Sequence, residues 1–158
     1  MIYKDNAVKD LRIAYIGGGS RGWAWTFMRD LALEPALGGT IVLYDINKEA
    51  AKANEVIGNG ITKRPEAVGK WKYVVADTLA EALTGSDFVV ISILPGTFDE
   101  MESDVHEPEK YGIYQSVGDT AGPGGMVRFQ CLLRLQRQFV IMHRRHGSLI
   151  TRIRCLYA

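Results

Sequence analysis

A short apolar run that ends in a glycine-rich turn is the feature that most constrains the fold of this chain. Residues 11–16 are aliphatic and aromatic and predict a buried strand, and Gly17, Gly19 and Gly22 follow with the spacing G-x-G-x-x-G. A strand-to-helix turn without Cβ atoms lets the backbone approach a pyrophosphate, whose charge then lies on unpaired helix N–H groups. The order strand, glycines and helix therefore predicts a dinucleotide site.

An acidic residue follows the next apolar run. Residues 40–44 predict the second strand, and Asp45 follows Gly22 by 23 residues, close to the usual spacing of about 20. A carboxylate at this point accepts hydrogen bonds from the ribose hydroxyls and repels a 2′-phosphate. We therefore expect NAD rather than NADP as the cofactor.

The remaining pattern alternates between strands and helices. Further strands are predicted over residues 71–76 and 87–94, and helices over Trp23–Leu33, from an Asn47 cap to Gly58, and after a capping box of Thr78 and Glu81. Residues 58–69 are predicted to be a loop. The side chains of Trp23 and Trp25 are predicted to pack in the core rather than to form a stacking platform. The alternation predicts an α/β fold with a Rossmann-like, doubly wound parallel sheet.

The polar segment after the fourth strand is placed at the carboxyl ends of the strands, where such sheets bind ligands. Pro95 is predicted to turn beneath the nicotinamide side of the cofactor. Asp119, a short acid flanked by glycines, either caps a turn or serves the site. The acidic residues from 99 to 104 are interpreted as a solvated helix face rather than a metal site, and His106 as a surface residue.

The composition is typical of one globular domain. The chain has 158 residues, of which 47% are hydrophobic. No apolar run approaches the roughly 20 residues that span a membrane, and residues 1–10 lack the apolar core of a signal peptide. Cys131 and Cys155 have neither a disulfide framework nor metal-type spacing. We therefore expect a cytoplasmic protein without a membrane partner.

Three segments together resemble glycoside hydrolase family four, the NAD- and divalent-metal-dependent glycosidases, and are most similar to its α-galacturonidase branch. They are residues 13–46 (IAYIGGGSRGWAWTFMRDLALEPALGGTIVLYDI), 54–60 (NEVIGNG) and 87–125 (DFVVISILPGTFDEMESDVHEPEKYGIYQSVGDTAGPGG). The resemblance covers residues 13–128. One departure is Glu107, where the family places an apolar residue.

The resemblance implies a hydrolysis in which NAD oxidises the sugar at C3, the C2 proton is removed, the aglycone leaves C1, water adds and the hydride returns. A manganese-type ion polarises the sugar carbonyl. Gly17, Gly19, Ser20 and Asp45 match cofactor positions, and Asp119 matches an acidic residue close to the sugar. The metal ligands and the tyrosine base of the family have no match here. The resemblance therefore implies a fold truncated before the metal and substrate part, an inactive fragment, and a homo-oligomer for the full-length protein.

Residues 129–158 differ from the rest of the chain in charge. Residues 1–127 carry a net charge of −6, whereas from Arg128 onward seven arginines without any lysine or acid give +7. An alternative reading frame of the gene joins the third base of each codon to the first two bases of the next. Under the genetic code, the codons of residues 146–158 can in this frame encode the asparagine–proline motif and the metal cysteine of the family. We interpret residues 129–158 as a frameshifted tail that follows an NAD-binding domain at residues 1–128.

Two other functions stay open at this point. An NAD-dependent dehydrogenase or an NAD-binding module shares the same cofactor half, because a fold does not determine chemistry. Net accumulation of NADH would distinguish a dehydrogenase from a glycosidase of this type. A genuine tail would instead be a basic arm that binds nucleic acid or an anionic membrane. Because basic patches of this kind are common and tolerate many sequences, they are weak evidence for such a partner, and we favour the frameshift over nucleic-acid binding.

Overall fold

The structure is a computed structural model, and it describes residues 1–93, 97–114, 133, 134, 137, 138, 140 and 153–155. The strands are β1 (Ile2–Lys4), β2 (Ala7–Ile16), β3 (Leu37–Tyr44), β4 (Lys70–Val75), β5 (Phe88–Ile91) and β6 (Ile153–Cys155). The helices are α1 (Trp23–Leu33), α2 (Lys48–Ile61), α3 (Leu79–Leu83) and α4 (Phe98–His106), with a 3₁₀ helix at Glu107–Tyr111. Within these ranges, no helix has both the length and the apolar character to cross a membrane.

A parallel sheet in the order β4–β3–β2–β5–β6 forms the centre of the fold. β2 pairs with β3 on one side and with β5 on the other, so the chain crosses the sheet between β4 and β5. Side chains of α1 pack into the apolar cluster on one face, and side chains of α3 into the cluster on the other. The predicted Rossmann-like α/β sheet is confirmed, and its topological switch point lies between β2 and β5.

An N-terminal hairpin precedes the parallel sheet and was not predicted. β1 pairs antiparallel with β2 through a two-residue loop, Asp5 and Asn6, whose φ angles are +52° and +57°. Positive φ at both loop positions is what a type I′ hairpin turn requires, and Asp and Asn tolerate it. The pairing of β2 with β3 shifts register between Val8 and Leu11, so the predicted strand 11–16 is the regular part of a longer strand.

Helix α2 begins as predicted but ends later than predicted. The Asn47 side chain caps it by accepting a hydrogen bond from the Ala50 N–H at 3.1 Å. The helix continues through Gly58 to Ile61, because Gly58 packs on β4: a Cβ there would lie 2.6 Å from Cγ of Tyr73. Gly58 is therefore a packing residue, and the predicted loop begins only after the helix ends.

The capping box predicted for α3 is only half formed. The Glu81 N–H donates to Oγ1 of Thr78 at 3.1 Å, but Oε2 of Glu81 accepts from the Asp77 N–H at 2.9 Å instead of from Thr78. A reciprocal capping box occurs at α4, where Thr97 and Glu100 exchange both hydrogen bonds. The local sequence signature thus marks both helix starts but does not determine which backbone N–H the carboxylate reaches.

The prediction that Trp23 and Trp25 pack in the core is wrong. These side chains are 41% and 44% exposed. The buried stripe of α1 is one residue out of phase with the apolar residues Trp23 and Phe27, and consists of Ala24, Met28, Leu31 and Ala32. This stripe packs against the sheet, and both indoles lie outside it.

Tyr73, on β4, provides a test of how polar atoms are buried in this core. Its side chain is 1% exposed, its hydroxyl has no hydrogen-bond partner among the described residues, and burial raises its pKa above the usual value of 10. An unpaired buried hydroxyl costs about 1–3 kcal/mol. We expect Tyr73→Phe to leave the free energy of unfolding unchanged or to raise it by up to about 1 kcal/mol in urea denaturation.

Trp71→Phe, on the same strand, is the matched control. Nε1 of Trp71 donates to the Leu31 carbonyl at 3.1 Å, so this change breaks a satisfied bond and should lower stability by about 1–3 kcal/mol. Burial makes the pKa of Tyr73 higher in the folded chain than in the unfolded chain, so ionisation of the phenol favours unfolding. The free energy of unfolding is therefore unaffected by this group below pH 10 and falls as the pH rises further. Tyr73→Phe should reduce that alkaline decline. A loss of stability as large as that of Trp71→Phe would contradict this account.

Candidate nucleotide-binding site

The glycine-rich turn, residues 17–22, lies at the carboxyl end of β2, beside the switch point of the sheet. The Gly17 and Gly18 N–H groups both donate to the Tyr44 carbonyl, at 2.9 and 3.0 Å. The Ser20 N–H donates to the Gly17 carbonyl at 3.0 Å and closes the turn. The turn is therefore held against the end of β3 by backbone hydrogen bonds.

Three successive glycines are required by the packing of the chain itself. Gly17 has φ +92°, and a Cβ there would lie 1.9 Å from the Ser92 carbonyl oxygen. A Cβ on Gly18 would lie 2.8 Å from Cβ of Leu43, and one on Gly19 would lie 2.8 Å from Cβ of Ala50. Gly18 was missed in the sequence, because the G-x-G-x-x-G pattern leaves that position free.

Gly22 differs from the other glycines of the turn. It is the N-cap of α1 without a side-chain cap, and a Cβ there would have no atom of the described residues within 4 Å. The Thr26 N–H bonds to the Gly22 carbonyl, so the preceding N–H groups of the first helical turn have no intrahelical partner. Unpartnered N–H groups at the start of a helix, next to a residue without a side chain, are an arrangement that accommodates a phosphate.

Asp45 lies next to the turn, as predicted. Its Oδ2 accepts from the Gly19 N–H and its Oδ1 from the Asn47 N–H, both at 2.8 Å. The half-buried carboxylate therefore ties the glycine turn to the start of α2. Each carboxylate oxygen has a second lone pair, so both can also accept a hydroxyl. The ribose contact itself stays a prediction.

Asn54, on α2, is a site residue that was not assigned a role from the sequence. The side chain is 3% exposed, and its Nδ2 donates to the carbonyls of Gly18 at 2.7 Å and Ser20 at 2.9 Å. Its Oδ1 accepts from Nε1 of Trp25 at 2.8 Å. A signal was present: Asn54 shares the buried stripe of α2 with Ala51 and Gly58, and a polar side chain in such a stripe needs an explanation.

Two predicted site residues, Pro95 and Asp119, lie outside the described residues, and their roles stay predictions. The tail is described in part: Ile153–Cys155 forms β6, parallel to β5, with Ile91 opposite Cys155. Parallel pairing uses backbone groups, so β6 does not test whether the tail is frameshifted.

The surface of α4 and the 3₁₀ helix carries the acidic residues considered above. Asp99, Glu100 and Glu102 are exposed, in agreement with a solvated face, whereas Asp104 is half-buried. The His106 side chain is 58% exposed and lies 3.0 Å from Glu109. Glu107 is exposed and pairs with Lys110 at 2.7 Å, which suits a charged residue at this position. In the described part of the chain, no three His, Cys, Asp or Glu side chains come together as a metal site.

Comparison with known protein families and sequences identifies the family of this chain. The profile of the family described as family 4 glycosyl hydrolase matches residues 12–143. An α-galacturonidase of Lachnoclostridium phytofermentans is 71% identical over 128 residues, which are 81% of this chain and 28% of that protein. The chain therefore spans little more than a quarter of the length of that relative.

Two solved structures share the fold. The Bacillus subtilis protein lplD, described as a glucosidase, has 40% sequence identity and a TM-score of 0.66, over 94% of this chain and 38% of that one. A 6-phospho-β-glucosidase of Thermotoga maritima, solved with manganese, NAD⁺ and glucose 6-phosphate, has a TM-score of 0.66 over 92% of this chain and 34% of that one. Its 23% identity supports likeness of fold alone.

Proposed function

Because the chain belongs to family 4 of the glycosyl hydrolases, we propose that it is the NAD-binding part of a glycosidase that acts on α-galacturonides. The observation that carries the proposal is the close-packed glycine turn with an open α1 N-terminus and Asp45 beside it. The identity of 71% to an α-galacturonidase supports the substrate class. Since the chain spans 28% of that relative, the complete activity is assigned to a longer protein.

The residues of the site fit NAD. The open space at Gly22 and the unpaired N–H groups of α1 would hold the pyrophosphate, with Ser20 in the same turn. The free lone pairs of Asp45 would accept the ribose hydroxyls, and its charge would repel a 2′-phosphate. NAD, when bound, supplies the acceptor for the hydride from C3 of the sugar. Pro95 and Asp119 retain their proposed places at the nicotinamide side and near the sugar.

The residues described here do not fit the divalent metal of the family. No set of metal-ligating side chains comes together among them, and we assign no ligand and no catalytic step to a metal in this chain. The 158-residue chain binds and orients the nucleotide in this proposal, while the groups that remove the C2 proton and polarise the sugar lie elsewhere. We therefore propose that the chain alone does not hydrolyse glycosides.

The boundary near Arg128 is part of the same proposal. The charge changes there from −6 over residues 1–127 to +7 over the remaining residues. Sequencing the gene through the Arg128 codon and beyond Ala158 tests whether the tail is frameshifted. The proposal expects the alternative frame to encode the asparagine–proline–cysteine motif and to stay open. An alternative reading frame that lacks the motif, or that reaches a stop codon at once, would contradict the proposal.

Calorimetric titration of the 158-residue chain with NAD and NADP tests the proposed function. We expect NAD to bind, and NADP to bind about tenfold more weakly or worse, because its 2′-phosphate meets Asp45. A folded chain that gives no heat with NAD would overturn the nucleotide assignment. Assay with a chromogenic α-galacturonide should show no product, and turnover by the purified chain would refute its inactivity. Net NADH formation would indicate a dehydrogenase instead.

A further inference from the structure

We propose that Asn54 is a positioning residue that aims the Arg21 N–H at the pyrophosphate by fixing the carbonyls of Gly18 and Ser20. No role for Asn54 follows from the glycine motif itself, which lies more than 30 residues away. The inference rests on the proposed NAD site and names a part of its machinery.

The hydrogen bonds of Asn54 permit a single orientation of its amide. The carbonyls of Gly18 and Ser20 only accept hydrogen bonds, and Nε1 of Trp25 only donates. Rotating the amide by 180° would place Oδ1 against two carbonyl oxygens and Nδ2 against the indole N–H. At 3% exposure, water does not replace the lost partners. Trp25 therefore locks the amide, and the amide holds the turn.

Peptide geometry carries this restraint into the site. In a planar trans peptide, the carbonyl of one residue and the N–H of the next point in opposite directions. The Gly18 carbonyl points to Asn54, and the Gly19 N–H accordingly points away and reaches Oδ2 of Asp45 at 2.8 Å. The Ser20 carbonyl also points to Asn54, so the Arg21 N–H is directed away from α2.

The Arg21 N–H is available for a ligand. It has no hydrogen-bond acceptor within the described part of the chain, and Arg21 is exposed beside the open position of Gly22. A backbone N–H held in one direction is a stronger anion donor than one that must first be ordered, because the cost of ordering is met on folding. Asn54 thus adds a fixed donor to the N–H groups of α1.

Asn54→Asp is the direct test, and Asn59→Asp is its matched control. Asn59, on the same helix, exchanges two hydrogen bonds with the backbone of Tyr73, at 2.9 and 3.0 Å, away from the turn. Each substitution removes amide donors to backbone carbonyls. We expect Asn54→Asp to weaken binding of both NAD and inorganic pyrophosphate about tenfold or more, the loss of one hydrogen bond to a charged group. Asn59→Asp should stay within about twofold, whatever its effect on stability.

A ligand-free measurement separates this inference from the proposed function. In ¹H–¹⁵N spectra of the unliganded chain, Asn54→Asp should shift the amide signals of Gly19 and Arg21, and Asn59→Asp should not. If Asn54→Asp does not fold, Trp25→Phe is the second variant, because it keeps an aromatic ring but removes the hydrogen bond that orients the Asn54 amide. It should shift the same amide signals and weaken NAD binding about threefold.

Each outcome decides between the two proposals. Unchanged Gly19 and Arg21 signals, or equal affinities for the two aspartate variants, would overturn the role of Asn54 while leaving NAD binding intact. If the wild-type chain binds neither NAD nor pyrophosphate, the proposed function fails, and the pyrophosphate role of Arg21 fails with it. Shifted amide signals together with weakened binding in Asn54→Asp alone would support the inference.

Discussion

Replacing Gly17 with alanine is expected to lower the free energy of unfolding by about 3 kcal/mol or more. The residue has φ +92°, which L-residues with a side chain rarely adopt, and the new Cβ would lie 1.9 Å from the Ser92 carbonyl oxygen. That oxygen belongs to the backbone directly after β5, where the Ser92 N–H is bonded to the Ile16 carbonyl at 2.8 Å. Relief of the clash would therefore separate β2 from β5 at the switch point.

Gly22→Ala is the control for this prediction within the same motif. A Cβ at Gly22 has no neighbour within 4 Å in the part of the chain that the structure describes, and the φ of −81° at Gly22 suits any residue. Stability should therefore change by no more than about 1 kcal/mol. Urea unfolding of both variants gives the comparison. Equal stabilities for Gly17→Ala and the wild type would show that the turn does not pack against Ser92 as described.

Gly22→Asp should abolish most NAD binding without unfolding the chain. The open space at Gly22 accepts the side chain, and a negative charge at a helix N-terminus is favourable by about 0.3–1 kcal/mol. The same charge occupies the place proposed for the pyrophosphate and repels it. We expect the dissociation constant for NAD to rise about 100-fold, by comparison with like-charge contacts of several kcal/mol in interfaces.

Gly22→Ser separates charge from bulk in that experiment. It adds a small, uncharged side chain at the same N-cap, so it should weaken NAD far less than Gly22→Asp while leaving stability similar. Calorimetric titration and thermal unfolding of the two variants provide both readouts. An aspartate variant that binds NAD as tightly as the wild type would place the pyrophosphate somewhere else.

The central sheet and the position of the carboxylate could be predicted because local patterns determine them. Apolar runs, glycines and helix caps recur in chain order, and parallel strands joined by helices have few possible arrangements. Asp45 directly follows β3, so its place at the carboxyl edge depends only on that strand. Such features need no knowledge of which residues meet across the fold.

The missed features depend on contacts between distant segments. Gly18 is needed because Leu43 packs against it, and Gly58 because the ring of Tyr73 lies on it. The prediction that Trp25 packs in the core failed because an apolar side chain on a helix does not by itself determine which face of the helix is buried. Its indole instead bonds to Asn54, which is 29 residues away in sequence. Periodicity alone does not encode such partners.

The hairpin at the N-terminus was missed for a different reason. Strand β1 has three residues, all of them exposed, so it is too short to show the alternating apolar pattern of a half-buried strand. The turn residues Asp5 and Asn6 were the available signal, because both types adopt positive φ more readily than most.

Titration of the ¹⁵N-labelled chain with NAD, followed by ¹H–¹⁵N spectroscopy, tests the central claim most directly. We expect the amide signals of residues 17–25 and of Asp45 to shift with increasing NAD, while those of β1 (Ile2–Lys4), which pairs with the opposite end of β2, stay in place. Shifts confined to other surfaces, or no shift in a folded chain at millimolar NAD, would contradict the claim that this glycine turn is a nucleotide site.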